Sequence, residues 1–200
     1  YITSANIATG FHAGDPDWMA RTVALAVENH VGIGAHPAYP DLAGFGRRNM
    51  DLTPAEVHNA VTYQVGALAA FAPDRKLQHV KPHGALYNTA VGNAAVAEAI
   101  VLAVQAFDPD LIHVVLAGSQ WESIARKHGV RVARECYADR SVTPEGSLVP
   151  RSQPGAVVHD PETVVERSLK LATEGKVNAI DGMGIDFSAD SLCLHGDTAG

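Results

Sequence analysis

LQHVKPH, residues 77–83, is the stretch on which the fold turns. In an extended strand successive side chains alternate between faces. His79, Lys81 and His83 therefore share one face, and Val80 and Pro82 take the other. Three other stretches share this design. In 3–11, Asn6, Ala8 and Gly10 lead on one face to His12. In 31–36, Gly32 and Gly34 lead to His36, opposite Val31, Ile33 and Ala35. In 191–195, Cys193 and His195 share a face. Small residues followed by a histidine at a strand's C-terminal end suit a parallel barrel, whose functional groups gather around one mouth.

Helical signals separate these strands. Asp15-Pro16 suits an N-cap and N1 and predicts a helix to about His30. Thr53-Pro54-x-Glu56 has the form of a capping box opening a helix to about Phe71. Further helices are expected at 93–107, 120–127 and 161–173, the last closed by Gly175. Strands are expected at 111–117 and 130–137. The alternation of strand and helix implies parallel βαβ units. With no repeat or linker, residues 1–200 read as a single domain. The segment 138–160, carrying Pro144, Gly146, Pro150, Pro154 and Gly155, is long for a connection and reads as a lid or binding loop.

Composition narrows the function. Hydrophobic residues make up 46% of the chain, enough for a sizeable core, and the net charge of −7 argues against nucleic-acid binding. No apolar run approaches the roughly 20 residues of a membrane span. No signal peptide is visible, and two cysteines, Cys136 and Cys193, suit a reducing cytoplasm.

The histidines His12, His36 and His83, with Lys81, form the candidate catalytic set. His195 would join them at the same mouth. Neutral imidazoles suit either a metal that activates water or metal-free acid–base chemistry on a small polar substrate. If a metal is present, its ligands are His12, His36 and His83. His79 and His83 span about 13 Å along their strand, too far to share one ion. No H-E-x-x-H spacing occurs, which tilts the reading toward metal-free chemistry. Lys81 suits a carboxylate or phosphate, or an ion pair. Asn6, Asp15, Arg47, Arg48, Glu135, Arg151 and His195 are candidate substrate contacts, with Asp15 equally a helix cap. Asp139 and Arg140 suit acid–base work or a salt bridge. Neither a Walker A pattern nor GxGxxG is present, so no nucleotide site is legible.

The stretches NIATGFHAGDP (6–16), GIGAHPAYPDLAGFGRR (32–48), HVKPHGALYN (79–88), ADR (138–140), EGSLVPRSQPGAV (145–157) and LCLHGD (192–197) resemble the LamB/YcsF family in order along nearly the whole chain. The resemblance implies an irregular parallel β/α barrel of about seven strands, similar to polysaccharide deacetylases. It also implies ATP-dependent opening of the lactam of 5-oxo-L-proline to L-glutamate, as the A subunit of a three-part 5-oxoprolinase whose B and C subunits are its partners. The alternatives kept are a metal-dependent amidase or carbohydrate deacetylase, and a non-catalytic ligand carrier. ATP is then a co-substrate of the complex, a divalent metal is compatible with the histidines, and the oligomeric state is open. Two departures stand out. Thr9 occupies a position where the family usually has Cys. An opening strand of the kind D-x-N-x-D-x-G-E and the helix after HGD are expected in the family and are missing from this chain.

Overall fold

The computed structural model describes residues 2–150 and 152–194. They form two compact units, residues 1–114 with 123–132, and residues 115–122 with 133–200.

In the first unit, β1 (Ser4–Ala8), β2 (Gly32–His36), β3 (His79–Val80) and β4 (Ile112–Leu116) pair in parallel in that order. The helices α1 (Pro16–Glu28), α2 (Pro54–Ala69), α3 (Gly84–Gly92) and α4 (Ala94–Phe107) lie between them in sequence. Their starts are chemically specified. The Asp15 side chain accepts from Trp18 N at 3.0 Å, and Thr53 and Glu56 close a reciprocal capping box. Asn93 caps α4 through bonds from Ala95 N and Val96 N. Each cap satisfies helix-terminal N–H groups that have no intrahelical partner. Val57, Val61, Val65 and Leu68 form the buried stripe of α2, which packs on α4.

The strand read at 77–83 has a short regular ladder, because Pro82 has no N–H to donate. Its pairing nevertheless continues: Gln78 N, Lys81 N and His83 N donate to Ile33 O, Ala35 O and Pro37 O at 2.8, 2.9 and 2.8 Å. The donors Gln78 and Lys81 are three residues apart while their acceptors Ile33 and Ala35 are two apart, so the simple alternation read from sequence is interrupted between them. The strand expected at 3–11 stops at Ala8, and the chain turns through Gly10 (φ 98°) and Gly14 (φ 78°). Helix α3, which begins immediately after His83, was not expected.

Register sets the depth of each side chain. Asn6 pairs with Gly34, and Gly34 with His79. The His79 ring crosses over Gly34 to reach Asn6 Oδ1 at 2.9 Å. A Cβ on Gly34 would fall inside that ring.

In the second unit, the parallel pair is β5 (Arg131–Tyr137) with β8 (Ser191–Cys193). Helix α5 (Gln120–Lys127) precedes β5 in sequence, its residues from Ser123 onward belonging to the first unit. Helix α6 (Pro161–Glu174) is capped by Asp160 and ends at the left-handed Gly175 (φ 64°). An antiparallel hairpin, β6 (Lys176–Asn178) with β7 (Gly184–Asp186), was not expected from sequence. Residues 138–150 and 152–160 are ordered by their own bonds rather than by helix or sheet. The buried Arg140 guanidinium donates to Val149 O and Ala156 O, and bridges join Arg140 to Val157 and Val142 to Leu148. Val142 and Phe187 belong to the core of this unit, with Ala117, Cys136 and Val177.

Gly34→Ala is expected to destabilise the protein by about 2–4 kcal/mol through overpacking against His79. Gly66→Ala, in α2 with its nearest new neighbour 3.7 Å away, should be neutral or stabilise by up to about 1 kcal/mol. Urea titration of both variants against the parent protein reads the difference.

Candidate functional site

Three chain segments of the first unit bring His12, His36 and His83 together. His12 follows the β1 turn, His36 ends β2, and His83 sits at the N-cap position of α3. His12 and His83 stack with ring centroids 3.9 Å apart and planes 7° apart. His36 meets His83 nearly edge-on, at 4.9 Å and 77°. The three offer ring nitrogens that all lie within 4.8 Å of one another.

Two of the rings are held by the backbone. His36 Nδ1 lies 2.5 Å from Lys81 O, and His83 Nε2 lies 2.8 Å from Phe45 O. His36 Nε2 and His83 Nδ1 are 3.0 Å apart. His12 is buried, and its Nδ1 has no hydrogen-bond partner among the described residues. Burial, then His83 and Arg47, lowers the His12 pKa to about 3. Burial, then Lys81 and His83, holds His36 well below 6.5. At neutral pH both imidazoles therefore offer lone pairs rather than positive charge.

The loop 37–51 covers these rings. Asp41, buried, accepts from Gly44 N at 2.9 Å, from Arg48 N at 3.3 Å and from the Arg48 guanidinium. The Arg48 side chain beside it holds the Asp41 carboxyl down at about 2. The loop then turns through Phe45 (φ 53°) and Gly46 (φ 65°). A Cβ on Gly46 would lie 2.9 Å from both His12 and His83, so only glycine lets the loop rest on the rings. Gly46 O receives Ala85 N at 2.9 Å, tying the loop to the start of α3.

The expected residues separate into groups. Lys81 is buried, with Nζ 6.0 Å from the centre of the Tyr87 ring. Arg47 is exposed and stacks over Phe45 at 5.1 Å. Arg48 is the internal tie of the loop, Asp15 is a helix cap, and Asn6 is bonded to His79. Glu135, buried on β5, belongs to the second unit, as do Asp139 and Arg140. Arg151 and His195 lie outside the described residues. Cys136 is buried, and burial followed by Glu135 and Cys193 pushes its thiol up to about 12, so it is no nucleophile.

Two supporting residues escaped the sequence reading. Gln64 is fully buried: its Oε1 receives Thr9 Oγ1 and Ala38 N, and its Nε2 donates to Ala38 O and Ala60 O. Its signal was a polar residue inside the apolar stripe of α2. Asp41 carried no signal beyond its place in a loop rich in Gly and Pro.

The LamB/YcsF family model matches residues 1–200. The A subunit of 5-oxoprolinase from Syntrophobacter fumaroxidans is 55% identical over 201 residues, covering 100% of this chain and 79% of the relative. That of Pyrococcus furiosus is 54% identical over 199 residues, covering 98% and 78%. The crystal structure of a lactam utilization protein from Thermus thermophilus superposes with a TM-score of 0.92 at 49% identity, covering 98% of this chain and 80% of that one. This likeness agrees with the parallel α/β fold expected from sequence.

Buried histidines, among them His79 and His113, make stability depend on pH. Burial, with Lys81 adding for His79, lowers His79 and His113 to about 4. The unfolded chain binds protons near pH 6.5 that these folded sites refuse, so stability is full above about 6.5 and falls as pH drops toward 4. The expected loss at pH 4 is of order 2 kcal/mol per imidazole. Denaturant titrations from pH 7 to 4 measure it, and His113→Phe should give a shallower slope.

Proposed function

The chain belongs to the LamB/YcsF family, and from that we propose that it is the lactam-opening A subunit of an ATP-dependent 5-oxoprolinase, converting 5-oxo-L-proline to L-glutamate with two partner subunits. The observation that carries this reading is the cluster of His12, His36, His83 and the buried Lys81, in a chain 55% identical to the A subunit of a 5-oxoprolinase. The fold likeness to a lactam utilization protein points the same way.

The chemistry fits the residues. A five-membered lactam is a resonance-stabilised amide, and 5-oxoproline presents one carboxylate, one N–H and one carbonyl. Phosphorylation of the lactam oxygen by ATP makes the carbonyl carbon a better electrophile. Water then adds to that carbon and the C–N bond breaks, the amine taking a proton and leaving an acyl phosphate; a second water hydrolyses the acyl phosphate to the carboxylate and inorganic phosphate. A neutral imidazole of the cluster accepts the proton of the attacking water. The Lys81 ammonium stabilises the negative charge that develops on oxygen or phosphate. Arg47, exposed beside the rings, suits the substrate carboxylate. ATP is a co-substrate of the complex, and its consumption suits a cytoplasmic location.

Glutamate release from 5-oxoproline with ATP, measured with the partner subunits present, tests this reading. Lys81→Met and His83→Ala should each lower kcat/KM by about 100-fold or more. Undiminished turnover in both variants would refute the assignment of this cluster as the working site.

A further inference from the structure

The hydrogen bonds of the histidine cluster to the backbone set two ring nitrogens against each other. A carbonyl oxygen only accepts. His36 Nδ1 must therefore carry the hydrogen it gives to Lys81 O, and His83 Nε2 the hydrogen it gives to Phe45 O. A neutral imidazole has a single N–H. The two remaining nitrogens, His36 Nε2 and His83 Nδ1, face each other at 3.0 Å, and when both rings are neutral both present lone pairs. Beside them lies the buried His12, whose Nδ1 has no partner among the described residues.

We propose that His12, His36 and His83 bind a divalent first-row transition-metal ion, with His36 Nε2 and His83 Nδ1 as its two preset donors. The bonds from the opposite ring nitrogens to Lys81 O and Phe45 O are the outer-shell contacts that orient metal-bound histidines and raise their basicity. All three donor nitrogens fall within 4.8 Å of one another. For metal–nitrogen bonds of about 2.1 Å, a 3.0 Å separation subtends about 90°, whereas a tetrahedral pair would stand about 3.4 Å apart. The preset pair thus suits adjacent positions of an octahedral ion, leaving others for water and substrate oxygen. An all-imidazole set favours zinc, cobalt, nickel or copper over magnesium or calcium.

His12 is the adjustable ligand. Stacked on His83 at 3.9 Å, its ring plane is offset from that of the preset pair. It must turn out of the stack to coordinate, while His36 and His83 keep their backbone anchors. A proton shared by the pair is the rival occupant of the gap between its nitrogens, and imidazole ¹⁵N shifts tell it from a metal ion. When bound, the ion supplies Lewis-acid polarisation of a carbonyl. The site rests on geometry alone and stands or falls independently of the lactam reading.

The test is direct binding to the chelator-stripped protein. Isothermal titration with Zn²⁺ and visible absorption with Co²⁺ should show one ion per chain with micromolar or tighter affinity. His36→Ala and His83→Ala should each weaken binding by about 100-fold or more, and His12→Ala by about 10-fold. His159→Ala, an exposed control, should leave it unchanged. Circular dichroism monitors folding, and His83→Asn serves as a smaller change should His83→Ala not fold. Absence of stoichiometric binding in the folded parent protein would overturn the proposal. So would unchanged affinity in folded His36 and His83 variants, or imidazole ¹⁵N shifts at pH 7 reporting a proton shared by the pair and undisturbed by added metal. Glutamate formation is scored separately, so a metal-binding protein without lactam turnover, or the reverse, tells the two readings apart.

Discussion

The site depends on two hydrogen bonds from histidine rings to backbone carbonyls, His36 to Lys81 O and His83 to Phe45 O. Main-chain carbonyls cannot donate, so each bond fixes both the orientation of a ring and which nitrogen carries the hydrogen. The positions of those carbonyls follow from the β2 and β3 pairing and from the turn at Phe45. Ring chemistry is thus controlled by backbone geometry, which tolerates little drift. Burial adds the second control by keeping His12 and His36 neutral.

Holding a loop over three imidazoles brings its own demands. Gly46 approaches His12 and His83 too closely for any side chain, and the left-handed turn through Phe45 and Gly46 must be stabilised from elsewhere. Asp41 does this by gathering Gly44 N, Arg48 N and the Arg48 guanidinium. Behind the rings, Gln64 saturates Ala38 N and O and takes the Thr9 hydroxyl. A buried amide with all its groups matched adds rigidity where an unmatched one would cost stability. The hydroxyl of Thr9 joins this network directly, so the residue at the position where cysteine is usual in the family is a structural hydrogen-bond donor here.

The second unit solves a different problem. Its long segment after β5 has little regular structure, and the buried Arg140 supplies the hydrogen bonds that strands would otherwise provide. Val142 from the same segment enters the core beside Phe187. A long excursion thereby becomes an ordered part of the unit.

Much of this was written in local sequence. Period-two alternation in 31–36 and 77–83 placed His36, Lys81 and His83 on one face, and Asp15, Thr53 with Glu56, and Gly175 marked helix ends, because caps and strand parity depend on neighbours a few residues apart. Helix α3 and the β6–β7 hairpin were illegible: Gly84 and Gly92 at its ends masked the first, and three-residue strands carry too little pattern for the second. The family was legible from long motifs. The sequence reading set His12, His36 and His83 at one mouth; that His79 does not join them, and which ring nitrogens face one another, was decided by the fold. By alternation His79 and His83 share a face, yet they part company, since register sends His79 across Gly34 to Asn6 while His83 turns to His36. Arg47 and Arg48 are adjacent in sequence, yet one stacks over Phe45 and the other is bound to Asp41. No local ligand spacing existed to be found, because each of the three imidazoles comes from a different segment. Sequence determined the residue types and the strand faces; only tertiary structure, by stacking three strand ends and a glycine turn in register, decided which nitrogens face one another.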